Sequence, residues 1–271
     1  MTPSLDRIAA ETRTWLAGAD RPLILGLCGA QGSGKSTLAA SLQAAMEAEG
    51  RRTAILSLDD LYLNGIARQQ LADAVHPLFR TRGVPGTHDA VRGIAILDAA
   101  KVGAPLSLPR FDKGRDEPFG EEEAVGKVDL LIFEGWCVGA RPQAESALAA
   151  PVNALERRED PDAIWRRYVN RQLWGIYAEL FARIDRLVLL AAPDFGVVRD
   201  WRGQQEEALW TSKASGAMDA VQLDRFVQHY ERLTRHILAE MPDRADLTLP
   251  LDHNRQPRAD MYAYMKDKVR Q

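Results

Sequence analysis

Cysteine is scarce in this chain: Cys28 and Cys137 are the only two among 271 residues. That excludes a disulfide-stapled scaffold and reads as two buried thiols of a reducing compartment. The five histidines and two cysteines show no metal-site spacing, so any metal is expected to arrive with a bound nucleotide, as Mg²⁺. No apolar run approaches the roughly 18 residues that cross a bilayer. The first residues, Met1-Thr2-Pro3-Ser4-Leu5-Asp6, lack the basic and then apolar stretches of a secretory signal. A formal net charge of −3 offers no footprint for nucleic acid or a membrane surface. Repeats and low-complexity segments are missing as well. These absences point to a cytoplasmic protein with a small-molecule partner, and they leave its oligomeric state open.

The strongest positive signal is Gly29-Ala30-Gln31-Gly32-Ser33-Gly34-Lys35-Ser36, which fits the phosphate-loop pattern G-x-x-x-x-G-K-[ST]. An apolar run of strand type, residues 22–27, precedes it. Residues 36–46, rich in helix formers with apolar positions three and four apart, follow. Strand, glycine loop and helix form the context the pattern requires. Glycines allow backbone N–H groups to turn toward phosphate oxygens with no Cβ in the way. The helix start adds unpaired donors and a partial positive charge. Lys35 supplies a point charge for the β/γ oxygens, and the Ser36 hydroxyl is placed to ligate Mg²⁺. Residues Gly29, Ala30, Gln31, Gly32, Ser33, Gly34, Lys35, Ser36 and Thr37 are therefore expected to hold ATP.

Further strands are predicted over 53–58, 128–134, 186–191 and 245–251, with a short one over 106–113. Helices are expected over about 161–184, near 195–212 and 218–240, and at the end of the chain. Alternation of strand and helix predicts an α/β fold of the P-loop NTPase/kinase type. A five-stranded, mostly parallel sheet carries helices on both faces. One domain over 1–271 is expected, with an insertion at about 135–164 and a lid at about 195–215.

Ligands of open α/β sheets sit at the carboxyl ends of the strands. Lys35 and Ser36 follow the first strand, Asp59 and Asp60 end the second, Glu134 ends the third long one and Asp194 follows the fourth. Glu134 is expected on or near Mg²⁺, and Asp59 is the candidate base toward an attacking hydroxyl, also able to reach the metal. Capping of the next segment is the alternative for the Asp59-Asp60 pair. Arg82, His88, Arg110, Lys113 and Arg115 form a cationic set on loops that suits an anionic acceptor. Arg199 and Arg202, flanking Trp201, are candidates for a phosphate clamp in a lid. His229, Arg232 and His236 share a helical face that reads as solvated.

Several longer strings are more specific than the phosphate loop. They are residues 57–63 (Ser57 to Leu63), Arg82-Gly83-Val84-Pro85-Gly86-Thr87-His88-Asp89, residues 108–113 (Leu108 to Lys113) and Phe133-Glu134-Gly135-Trp136-Cys137-Val138-Gly139. With Ala192-Pro193-Asp194-Phe195, Trp201-Arg202 and residues 230–236, they resemble D-glycerate 3-kinase of the plant and fungal type. The wider group it is similar to includes phosphoribulokinase, uridine kinase and pantothenate kinase. The resemblance implies transfer of the ATP γ-phosphate to the 3-hydroxyl of D-glycerate, with Asp59, Lys35 and Glu134 catalytic. It also implies an acceptor region carrying Asp60, Tyr62, Arg82, Thr87, His88, Arg110 and Lys113. After Lys113 this chain departs from the eukaryotic pattern, reading Gly114-Arg115-Asp116-Glu117-Pro118 and then Glu121-Glu122-Glu123. Another small hydroxylated acceptor on the same fold is the alternative. A regulatory NTPase is a second one, against which stand the missing Asn-Lys-x-Asp string and the otherwise idle Asp59-Asp60 pair.

Overall fold

The structure is a computed structural model that describes residues 3–211 and 219–258. Helix α1 (Pro3–Ala17) leads into strand β1 (Leu23–Gly29), the phosphate loop and α2 (Lys35–Ala48). After β2 (Thr53–Ser57) come a 3-10 turn (Leu58–Leu61), α3 (Gly65–Ala74), a second 3-10 turn (Pro77–Arg80) and α4 (Ala90–Lys101). Four short strands follow: β3 (Leu106–Leu108), β4 (Phe111–Asp112), β5 (Glu117–Pro118) and β6 (Glu123–Gly126). Then come β7 (Leu130–Gly135), α5 (Ala154–Glu159), α6 (Ile164–Trp174), α7 (Ile176–Phe181) and β8 (Arg186–Ala191). The described chain ends through α8 (Gly196–Thr211), α9 (Ala220–Glu240) and β9 (Leu247–Pro250).

Five strands form one sheet in the order β2-β7-β1-β8-β9, every pairing parallel. The predicted five-stranded sheet is thus present, with ends shifted by a residue or two. Side chains alternate across it. Ile24, Leu56, Leu131, Phe133 and Leu189 pack toward α4, α6, α7 and α9. Leu25, Leu27, Ile132, Val188, Leu190 and Leu249 pack toward α1, α2 and α8. Both faces are covered, which is why β1 and β7 are buried along their whole length and read as unbroken apolar runs.

Three expectations are corrected. The short strand over 106–113 is two, β3 and β4, which pair antiparallel with β6 and β5 in two small two-stranded sheets outside the main one. The predicted helix 161–184 is two helices, because the backbone at Gly175 (φ −96, ψ −117) leaves helical geometry. The solvated face on α9 is buried instead. Arg232 forms a paired bond to the fully buried Glu156 of α5, both contacts at 2.7 Å, and His229 packs edge-on against Trp165. The 135–164 stretch is therefore anchored on α9. The expected lid lies on α8 up to Thr211; the rest of it, and the predicted terminal helix, lie outside the described residues.

Candidate active site

The phosphate loop joins β1 to α2 at the carboxyl end of the sheet. Gly32 (φ +74) and Gly34 (φ +85) adopt left-handed backbone, which a side chain resists. Gly32 is also crowded from behind: a Cβ there would lie 2.6 Å from Trp201 Cβ. The Arg255 guanidinium donates to the Gly32 carbonyl at 2.6 Å and lies 5.2 Å over the Trp201 ring. Trp201 in turn donates to the His253 carbonyl at 2.7 Å. The cradle is thus braced by α8 and by the loop after β9.

The strand register sets the carboxylate beside it. Glu134 pairs with Ser57 across β2–β7 and with Leu27 across β1–β7. Its Oε1 accepts from Ser36 Oγ at 3.0 Å and from Ser57 Oγ at 2.9 Å. Lys35 Nζ stands 4.0 Å from Oε2, which is buried and has no hydrogen-bond partner. A buried carboxylate oxygen left open, next to a serine hydroxyl, fits a hard cation such as Mg²⁺, which takes oxygen ligands. Ser57 was missed as a site residue; its place at the end of β2, two residues before Asp59, was the available signal.

Asp59 and Asp60 have separate tasks. The Ser57 hydroxyl accepts from Asp59 N–H at 3.3 Å, while Asp60 accepts from Ser57 N–H at 3.3 Å, a reciprocal cap on the 3-10 turn. Asp60 also accepts from Arg110 at 3.0 Å and from Phe111 N–H at 3.2 Å. Burial raises its pKa despite that partner. Both Asp60 and Arg110, predicted to touch substrate, are engaged with each other, and Arg110 also reaches Glu123. The capping alternative describes Asp60. Asp59 is left aimed into the cleft: Tyr62 Oη donates to one of its oxygens at 2.9 Å, Lys113 Nζ to the other at 2.6 Å. Burial pushes the Asp59 carboxyl up, but the Lys113 and Lys35 ammonium groups outweigh it and hold the group at about 2.

Tyr62 sits at the centre of the residues expected to face the acceptor. Its ring stacks on His88 at 4.6 Å and meets Phe111 edge-on at 5.3 Å, and Arg82 lies 6.0 Å over it. Burial and the neighbouring Asp59 raise its phenol pKa, so it stays a donor. The 82–89 loop is held from three sides. Trp136 donates to the Gly83 carbonyl at 2.8 Å and Tyr230 to the Arg82 carbonyl at 3.2 Å. Thr87, fully buried, donates to the Val84 carbonyl and accepts from Gly83 N–H, so it shapes the loop instead of facing a ligand. His88 does not belong to a cationic set: burial lowers its pKa to about 3. Tyr177 Oη, which accepts from Gly86 N–H at 2.9 Å, is 2.6 Å from His88 Nδ1 and is free to donate there. That leaves the proton on Nε2, buried and without a partner. Arg199 pairs with Asp224 of α9, Arg202 lies 5.6 Å over the Phe226 ring, and Asp194 caps α8 at Val197 N–H. Arg199 and Arg202 thus each reach a side chain of α9. Arg115 is exposed at a hairpin tip.

This arrangement of loop, lysine, serine and strand-end carboxylates defines a phosphate-loop kinase. No protein-family model matches the chain. A relative from Schizosaccharomyces pombe, described as uncharacterized kinase mug58, is 33% identical over 255 residues, covering 88% of this chain and 90% of that protein. The chloroplastic D-glycerate 3-kinase of Arabidopsis thaliana is 28% identical over 273 residues, and this chain spans 58% of its length. The structure of a D-glycerate 3-kinase from Cryptococcus neoformans shares the fold, with a TM-score of 0.78 and 24% identity over 95% of this chain and 98% of that one. The chain belongs to the kinase family of its fission-yeast relative. It is a nucleotide-dependent phosphotransferase.

Proposed function

We propose that the protein transfers the γ-phosphate of ATP to a hydroxyl of D-glycerate. The observation that carries this reading is the composition of the acceptor side. An ionised aspartate, Asp59, lies with two cations, Lys113 and Arg82, on aromatic walls formed by Tyr62 and Phe111. A hydroxy acid asks for both, an acceptor for its hydroxyl proton and positive charge for its carboxylate. The plant relative's activity and the longer sequence strings named above support the same acceptor.

In this reading the loop amides and Lys35 hold the triphosphate, and Ser36 with Glu134 would hold Mg²⁺, aided by Asp59. The metal, when bound, neutralises charge on the β and γ oxygens. Asp59, at about 2, is a weak proton acceptor. A loose transition state leaves the proton on the alcohol until late, so the role of Asp59 is first to orient the hydroxyl and then to take its proton. Tyr62 and the Ser57–Asp60 cap fix the direction of that carboxylate. His88, uncharged, offers a neutral N–H and not a second cation.

The test is ATP-dependent phosphorylation across a panel of hydroxy acids, nucleosides, pantothenate and sugar phosphates. ADP release that requires D-glycerate, with phosphoglycerate as product, supports the assignment. Turnover with a nucleoside and none with glycerate would replace it.

A further inference from the structure

At the tip of the β4–β5 hairpin, beside the exposed Arg115, Lys113 and Asp116 carry opposite charges that are both spent on the residues around Asp59 and Arg82. The Lys113 ammonium sits on Asp59. Three residues on, the Asp116 carboxylate bridges two guanidinium groups, accepting from Arg82 through one oxygen and from Arg68 through the other. Arg82 reaches back to the Lys113 carbonyl at 3.4 Å and lies 5.4 Å over Phe111. Arg68 is buried, with its Nε unpartnered and its Nη1 on the Leu63 carbonyl at 2.6 Å. Among the described residues, Asp116 is the carboxylate paired with either arginine.

We propose that Asp116 is a resident stand-in for the carboxylate of the acceptor, and that the substrate anion enters by exchanging with it on Arg82 while Lys113 leaves Asp59. This rests on the hydroxy-acid reading given above. The exchange is chemically even: one carboxylate replaces another on the same guanidinium, and Lys113, freed from Asp59, is within the same cleft to follow the incoming charge. The pairs are built to open. The outer member of each pair is solvated, Lys113 at 63% and Asp116 at 48% exposure, which weakens its hold on Asp59 and on Arg82, while the buried Arg68 keeps the other Asp116 oxygen. The tip contains Gly114, and Asp116 itself holds a left-handed backbone (φ +58) that an aspartate tolerates without favouring it. Before exchange, Asp59 carries an ammonium on the oxygen that an alcohol would use. Acceptor-independent turnover is thereby held down, and a neutral polyol, having nothing to place on Arg82, gains no entry.

Asp116→Asn, with Asp116→Ser as a second variant should the first fold poorly, separates the stand-in from a simple strut. D-Glycerate binding is measured by calorimetry without ATP, and KM and kcat with ATP, beside the melting temperature. The proposal expects tighter glycerate binding and a KM lower by about threefold, as removal of a weak internal competitor allows. It also expects no gain for glycerol. Weaker or unchanged glycerate affinity in both variants would overturn it, leaving Asp116 as a support for Arg82. Absence of glycerate binding in the unsubstituted protein would instead remove the hydroxy-acid reading, and the exchange with it.

Discussion

The two halves of the cleft are built from different materials. The nucleotide side is backbone: two left-handed glycines, the start of α2 and a brace from Trp201 and Arg255, fixed wherever side-chain charges go. The acceptor side is side chains from distant segments, each neutralised by another: Asp59 by Lys113, Arg82 by Asp116, Asp60 by Arg110. One side is preformed by chain geometry. The other is held by pairs that a ligand of the right charge can compete for. The contrast is between a phosphate loop fixed by backbone geometry and a neighbouring set of side chains held by exchangeable charge pairs.

Breaking the rigid side at its charge should have the largest effect. Lys35→Ala is expected to lower kcat/KM by about 10³–10⁵ through lost charge neutralisation, read by ADP release. Asp59→Asn should lower turnover by about 10²–10⁴ while nucleotide affinity, measured by fluorescence titration, stays near that of the unsubstituted protein. Full turnover in that variant would remove Asp59 from the chemistry. Glu134→Gln should raise the Mg²⁺ concentration needed for half-maximal rate by about 10–100-fold. Gly32→Ala tests the brace: its Cβ meets Trp201 and strains the backbone, at a cost of about 1–3 kcal/mol, visible as a lower melting temperature and weaker nucleotide binding.

The last test concerns stability against pH. Burial lowers the pKa of His88 to about 3 and of His229 to about 4, so neither protonates in the folded protein near neutrality, whereas in the unfolded chain each does so below about 6.5. Stability is then complete above that value and falls as pH drops toward the folded values. By pH 5 the loss is about 2 kcal/mol for each histidine. A melting temperature measured from pH 8 to pH 5 should fall, and His88→Gln with His229→Gln should flatten the decline. A flat profile in the unsubstituted protein would contradict the buried, neutral state of both rings.

The same contrast explains what was legible in the sequence. The phosphate loop, the five strands and Glu134 could be read because backbone geometry imposes a local pattern of glycines and unbroken apolar runs. Register between β2 and β7 is not local, so Ser57 escaped notice although it shares the Glu134 oxygen with Ser36. The acceptor side was legible as a set of charges but not as pairs. Asp60 and Arg110 read as two ligands and are one ion pair, and Thr87 is consumed inside its own loop. His88 reads as a cation until burial is known. Arg232 on α9 reads as surface because its partner, Glu156, lies 76 positions away. Gly175 gave the one local signal for the break between α6 and α7.

Arg255 grips Gly32 across 223 positions of sequence. During synthesis the nucleotide motif leaves the ribosome early, with its brace still untranslated. A nascent chain halted before β9 therefore holds every residue of the phosphate loop, and Trp201 behind it, without the arginine that ties the two together. The contact itself comes late in the chain, because β9 must lie beside β8 before Arg255 can reach the Gly32 carbonyl.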